Sequence, residues 1–353
     1  MNYAELRTQF DPTNQYEILK NAPKQFEEGI AIGRAADLGD LSADGISNIV
    51  LCGMGGSAIG GDLFRCLAAD TSNVPIAVVR GYDIPAYVGK NTLVVALSYS
   101  GNTEETLTAY TSAVKQGART LAITSGGTLA AFAAKNGTPV ISIPGGLAPR
   151  MALGYLFPPL LVSMMRLGVV SFTDDELDTV VHELQARSDD YSDLDDEDNP
   201  ARQVAEILHG SLPIIYSPAG RMEAVNLRWR NQISENAKML AFGNLFPELN
   251  HNEIVGWEQC EDMLERAVII ALHDLDEGAR IETRIETTLE ILKPYAQTVI
   301  EIHPEQDEPL SRIFALIHFG DWISYYLAIG TQTDPFPIAK IDTLKETLAK
   351  QSS

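Results

Sequence analysis

Cysteine and basic residues are both scarce in this chain. Its three cysteines, Cys52, Cys66 and Cys260, include no CxxC pair, so the spacing spells neither a disulfide framework nor a zinc knuckle. Buried thiols of a reducing compartment are expected. Lysine and arginine total 26 against 48 aspartates and glutamates, a net charge of −22. So acidic a chain offers nucleic acid or an anionic membrane no basic surface, and neither partner is expected. A small anionic substrate needs only a local positive pocket and is not excluded. Met1-Asn2-Tyr3-Ala4-Glu5 lacks a basic-then-apolar leader, and no apolar run approaches the length of a membrane span. A cytoplasmic protein is predicted.

What the chain does have is room and rhythm. Its 353 residues, 45% of them hydrophobic, suffice for two cores. Apolar runs of strand length occur at 48–52, 75–80, 92–97, 120–124 and 139–144, and again at 212–216, 238–242, 267–272 and 298–302. Helical patterns cover 4–35, 152–170 (broken at Pro158-Pro159), 222–237, 282–292 and 310–329. Strands alternating with helices predict an α/β fold with a parallel sheet flanked by helices in each half. Seven acidic residues crowd 189–198 before Asn199-Pro200, which reads as a solvated linker. The expected division is therefore 1–185, an acidic linker at 186–200, and 201–353.

Two turns stand out. Gly53-Met54-Gly55-Gly56-Ser57 follows the first strand, and Ser98-Tyr99-Ser100-Gly101-Asn102-Thr103 follows the third. In the second turn, Asn102 with Glu105 three residues on predicts a helix N-cap, and Gly117 a C-terminal stop. A hydroxyl-rich turn opening a helix offers N–H groups and the positive dipole end to an anion; an ordinary Ser/Gly capping turn has the same look. Gly53-x-Gly55-x-x-Ala58 also fits the dinucleotide fingerprint, but the second strand ends in Arg80 rather than an acid for the ribose, which at best suits an NADP-type 2′-phosphate. No Gly-Lys-Ser/Thr closes the loop, so a P-loop is excluded. Two neighbouring anion-friendly strand ends converge more naturally on one phosphate than on a pyrophosphate.

Together these turns resemble the paired phosphate-binding turns of the sugar isomerase (SIS) domain. Ile233-Ser234-Glu235-Asn236 and Pro247-Glu248-Leu249-Asn250-His251-Asn252-Glu253 narrow the likeness to the bifunctional phosphoglucose/phosphomannose isomerases, a two-SIS-domain branch of the phosphoglucose isomerase superfamily. The resemblance spans nearly the whole chain. It implies a sugar 6-phosphate substrate, a homodimer, and a phosphate held by Gly56, Ser57, Ser98, Ser100 and Thr103. It also implies aldose–ketose isomerisation through a cis-enediol, with Glu235 shuttling the proton between C1 and C2 and His251 opening the ring, reaching across a dimer interface. Arg150, in a Pro-Arg segment, would stabilise the enediolate, and a C-terminal lysine would assist ring opening. Lys345 is assigned that last role, with Lys340 competing.

The residues fit that chemistry without requiring it. A carboxylate within reach of two adjacent carbons can move a proton between them, yet Glu235 could simply pair with Lys238 on a helix surface. His251 lies in a polar cluster, and an imidazole with a pKa of about 6.5 exchanges protons at neutral pH. His182, His209, His273, His303 and His318 lack such a setting. Arg150 could equally serve a helix-start ion pair, and Lys345 could be a solvated terminal lysine. No metal or other cofactor is expected, since the chain has no His-x-Glu-His cluster of the zinc-dependent kind and proton transfer needs none. Three rival readings stay open: another SIS phosphosugar isomerase, a non-catalytic phosphosugar-binding regulator, and an NADP-dependent dehydrogenase.

Overall fold

The computed structural model describes residues 1–259 and 261–351; the expected burial of the Cys260 thiol lies outside them, whereas Cys52 and Cys66 are buried free thiols. Three helices open the chain: α1 (Tyr3–Phe10), α2 (Gln15–Lys20) and α3 (Ala22–Ala35). They occupy the stretch expected as one helical region, and Asn14, with φ of 58°, separates the first two. Then come β1 (Asn48–Cys52), α4 (Gly55–Ala68), β2 (Ile76–Val79), β3 (Thr92–Leu97), α5 (Glu104–Lys115), β4 (Arg119–Thr124), α6 (Gly127–Lys135), β5 (Val140–Ser142), α7 (Leu153–Arg166) and α8 (Asp174–Tyr191). The second half holds α9 (Pro200–Leu208), β6 (Leu212–Pro218), α10 (Glu223–Asn236), β7 (Phe242–Phe246), α11 (Glu261–Leu264), β8 (Ala267–Leu272), α12 (Ala279–Leu292), β9 (Thr298–Ile302), α13 (Pro309–Gly330) and α14 (Ala339–Gln351).

The first sheet has the order β2-β1-β3-β4-β5 and the second β7-β6-β8-β9, with every strand pair parallel. In the first, β1 lies between β2 and β3, so the crossovers run in opposite directions on its two sides. The crevice beyond the carboxyl ends of β1 and β3 is where such sheets bind ligands. The two hydroxyl- and glycine-rich turns flank that crevice.

One apolar cluster runs from Tyr3 to Ile329 across both halves. Its axis is α13, buried almost all round, as expected of a helix apolar on every face. This 22-residue helix is long and apolar enough to cross a membrane, contrary to the expectation that no run approaches that length, but 94% of its apolar window is buried inside the protein. Nor do Pro158 and Pro159 break α7. Pro158 has no N–H for the Gly154 carbonyl, and Gly29 of α3 packs there so closely that a Cβ would stand 2.1 Å from that oxygen.

Three further local expectations are corrected. The acidic stretch 186–200 is solvated, its seven acidic residues at 189–198 all exposed, but it is not linker throughout. Helix α8 continues to Tyr191, and the buried Asn199 side chain donates to the Tyr191 carbonyl (2.9 Å) and the Tyr326 hydroxyl (3.0 Å). Strand β7 starts at Phe242 rather than Lys238, because Lys238 is left-handed (φ 58°) and turns the chain out of α10. Thr103, not Asn102, holds the N-cap position of α5. Asn102 Oδ1 instead accepts from Thr128 N and Oγ1, each at 3.0 Å.

Candidate active site

The N-terminus of α4 is pressed against the 3-10 turn Pro149–Met151 that carries Arg150. A Cβ on Gly56 would lie 2.7 Å from Arg150 N and from the Pro149 carbonyl carbon, so only glycine permits this approach. Arg150 is 3% exposed and each of its three guanidinium nitrogens is engaged. Nε donates to Asn236 Oδ1 (2.8 Å), and Nη2 to the carbonyls of Pro335 (2.8 Å) and Phe336 (2.9 Å). Nη1 stands 3.4 Å from Glu235 Oε2. Burial pulls the Arg150 pKa below its ordinary value and the Glu235 charge opposes that pull, so a carboxylate and a fixed cation share one desolvated corner.

That corner is a narrow cleft with a free volume of about 10 Å³, lined by Gly55, Gly56, Ile59, Arg150, Arg228, Asn231, Gln232 and Glu235. The Glu235 side chain keeps 26% of its exposure. The surface pair considered for it is not formed as such, since Lys238 Nζ donates to the backbone carbonyl of Glu235 rather than to its carboxylate. Lys238 also reaches Pro335 O (3.1 Å), and burial followed by the Arg150 charge lowers its pKa.

Behind the cleft lies a buried polar layer that sequence reasoning missed. Arg228 Nε and Nη2 fork onto Asp321 (3.1 and 2.6 Å), and Nη2 also donates to the Arg150 carbonyl (3.1 Å). Gln232 Nε2 donates to Asp321 (2.9 Å) and Asn236 Nδ2 to Ser324 Oγ (2.9 Å). Burial pushes the Asp321 carboxyl up, while Arg228 and Gln232 pull it back. The available signal was His318, Asp321 and Ser324 at helical spacing inside an otherwise apolar run: buried polar groups need partners.

The residues of the glycine and serine turns meet at the sheet's carboxyl edge. Ser57 is buried, and its Oγ accepts from Tyr99 N (3.0 Å), tying the glycine turn to the serine turn. Ser98, fully buried, donates to Thr103 Oγ1 (3.2 Å). Ser100 is exposed and accepts from Asn102 N (3.3 Å). Arg80, the residue on which an NADP-type site would depend, is paired with Asp62 of α4.

His251 and Lys345 are not among the residues lining the cleft. His251 is exposed at the end of a 3-10 turn, Glu248–His251, after β7. Its neighbours are held: Asn250 Nδ2 donates to Thr288 Oγ1 (2.7 Å) and Asn252 Nδ2 to Glu248 Oε1 (2.8 Å). Lys345 and Lys340 both lie on the exposed helix α14, which leaves the segment that Arg150 grips at Pro335 and Phe336. The expectation that His273 and His303 lack a polar setting is wrong. Their rings stack at 4.0 Å beside Glu301, away from the cleft.

A family profile for the SIS domain matches residues 45–143, and one for the bacterial phospho-glucose isomerase C-terminal SIS domain matches 197–348. Among solved structures, a hypothetical protein from Thermus thermophilus superposes with TM-score 0.73 at 16% identity, covering 100% of this chain and 94% of that one. A glucose-6-phosphate isomerase like protein from the same organism gives 0.63 at 18% identity, covering 94% and 95%. The bifunctional phosphoglucose/phosphomannose isomerase of Caldicellulosiruptor bescii is 43% identical over 95% of this chain and 99% of its own length. That of Aquifex aeolicus is 32% identical over 96% and 99%. With two parallel sheets, a SIS match in each half, and this identity along essentially its full length, the chain belongs to the bifunctional phosphoglucose/phosphomannose isomerase family.

Proposed function

We propose that this protein interconverts glucose 6-phosphate or mannose 6-phosphate with fructose 6-phosphate by proton transfer through a cis-enediol. The observation that carries the residue assignment is the Glu235 carboxylate standing 3.4 Å from the buried Arg150 guanidinium in a cleft beside the glycine turn. In the open-chain aldose, Glu235 takes the C2 proton; the C–H electrons form the C1=C2 bond and O1 gathers negative charge. Arg150 stabilises that oxygen; the O2 hydroxyl proton passes to O1, leaving the charge on O2, and Glu235 returns its proton to C1 as the O2 electrons close the C2=O bond. Planar C2 in the enediol removes the difference between the two epimers.

The cleft has a free volume of about 10 Å³, room for about one water molecule and far below the roughly 300–1,000 Å³ of sites that enclose a ligand. Entry of the reacting end of the substrate therefore requires this corner to open. The phosphate lies several atoms away, on Gly56, Ser57, Ser98, Ser100 and Thr103. His251 serves ring opening and Lys345 assists. Because His251 is exposed and does not line its own chain's cleft, the reading includes a homodimer in which it completes the site of a second copy. It further takes the halves as two domains meeting at residues 186–200, in a protein of the reducing cytoplasm that suits the unpaired thiols Cys52 and Cys66.

The test is isotopic. Incubated in deuterated water, the protein is expected to exchange deuterium into fructose 6-phosphate at C1 and yield aldose labelled at C2. Glu235→Gln is expected to lose about 10²–10⁴-fold of this rate, the usual worth of a positioned base. No exchange in the wild-type protein, or an unchanged rate in the variant, would sink the assignment.

A further inference from the structure

A second constellation lies at the carboxyl ends of β8 and β9, outside the cleft. Strand register sets Ala271 beside Glu301 and Leu272 beside Ile302, and His273 N continues the ladder to Ile302 O (3.0 Å). Residues two apart on a strand share a face. Glu301 and His303 therefore project together, with His273 next to His303 on the neighbouring chain segment. The two imidazoles stack at 4.0 Å and 20°. Glu301 Oε2 lies 3.3 Å from His273 Nε2 and 3.9 Å from His303 Nε2.

The other ring nitrogen of His273 is already committed. Its Nδ1 stands 3.1 Å from Glu277 Oε1, and the second oxygen of Glu277 accepts from Asp274 N (3.0 Å). With Nδ1 held by Glu277, Nε2 is the ring atom turned towards Glu301. A carboxylate facing a ring nitrogen is bridged either by a proton on that nitrogen or by a cation that takes the proton's place. We propose that His273, Glu301 and His303 bind a divalent transition-metal ion of the zinc class.

Two imidazoles and one carboxylate, with a fourth position left to water, are the donor set of zinc and its neighbours rather than of magnesium or calcium. Glu277 supplies the outer carboxylate that orients the ligating histidine. The three donor atoms lie within 4.8 Å of one another, while ligands about 2.0–2.1 Å from a zinc ion stand closer together. Closing the site means splaying the stacked rings, and the mobile partners are the exposed ones: the side chains of His303 and Glu301 are 62% and 45% exposed, against 7% for His273. A bound ion would clamp β8 to β9 just before the loop into α13, the helix whose Asp321 braces Arg228. The site is structural rather than catalytic.

The test uses the full chain, stripped with a chelator and titrated with Zn²⁺, and in parallel with Co²⁺ to read its visible d–d bands, both in excess Mg²⁺ to occupy weak acidic sites. One saturable ion per chain is expected, bound at least tenfold more weakly by His303→Ala and by Glu301→Gln, with Glu277→Gln weakened about 10–100-fold. His303→Ala is expected to keep isomerase activity, which shows that it folds. Absence of saturable binding, or binding equally tight in both His303→Ala and Glu301→Gln, overturns the proposal.

Discussion

Replacing Gly56 by alanine tests whether the glycine turn and Arg150 form one mechanical unit. The added Cβ would meet Arg150 N and the Pro149 carbonyl carbon at 2.7 Å and the Pro149 oxygen at 2.8 Å. These are backbone atoms, so no rotamer change relieves the clash; the two segments must part by about 0.7 Å to reach an ordinary contact. Overpacking of this kind costs about 1–3 kcal/mol. The guanidinium is tied to the same backbone, and a displacement of about 1 Å at a catalytic group can cost 10²-fold. A loss of about 10–100-fold in kcat/KM is therefore expected. Gly117→Ala supplies the control. Gly117 has φ of 75° and nothing within 4 Å of an added Cβ, so alanine there costs about 1–2 kcal/mol of left-handed strain without touching the site. Chemical denaturation and fructose 6-phosphate kinetics on both variants give the comparison. Comparable stability loss with a rate defect only in Gly56→Ala is the expected pattern. Wild-type kcat/KM in Gly56→Ala, or an equal defect in Gly117→Ala, refutes the coupling.

Arg150→Lys keeps a charge but cannot reproduce a fork that serves Asn236, Pro335, Phe336 and Glu235 together. Steady-state kinetics should show kcat down about 10²–10³-fold, as for a lost electrostatic donor, with unfolding at lower denaturant. If His251 completes the site of a second copy, mixing inactive Glu235→Gln and His251→Gln proteins under exchange should restore up to about a quarter of wild-type activity through mixed dimers; no recovery assigns His251 to its own chain or to no site. His318 accepts from Trp322 Nε1 (3.0 Å), and burial, with Arg228 adding to it, lowers its pKa to about 3. Below about pH 6.5 the unfolded chain takes up a proton that the folded chain refuses, so stability falls as pH drops towards 3, by up to roughly 1.4 kcal/mol per pH unit. Urea unfolding at pH 7 and pH 5 should show a shallower decline in His318→Gln, and parallel declines would refute this account.

The sheets were legible because nothing competes with a buried parallel strand. Val94-Val95-Ala96-Leu97 has no polar face to confuse its period, and its terminating turn carries a glycine, Gly101. Legibility ended where a polar residue's partner is remote in sequence. Asn102 looks like a cap from its neighbours alone, yet Thr128 claims its oxygen. Arg228, within the helical pattern at 222–237, has no neighbour in sequence that marks it as buried, yet it is 3% exposed and paired with an aspartate 93 positions on. Pro158-Pro159 reads as a break because the sequence does not show Gly29 arriving at the freed carbonyl. His273 and His303 look ordinary singly; only the β8–β9 register makes them a pair.

The same contrast of local and remote explains why Glu235 and Arg150 sit where they do. A carboxylate that must be both reactive and exposed to substrate gains little from a solvent-facing cation, because water screens the pair. Burying the cation solves this only if its other donors are satisfied, since an unpaired buried charge is strongly destabilising. Arg150 meets both conditions by turning three of its nitrogens to Asn236, Pro335, Phe336 and Glu235. Those partners come from α10 and from the segment before α14, while Arg150 itself comes from the first half. Neither half could therefore position the guanidinium alone. Arg228 and Asp321 extend the same tie to α13, so the geometry of the cleft and the packing of the two halves against each other rest on the same few hydrogen bonds.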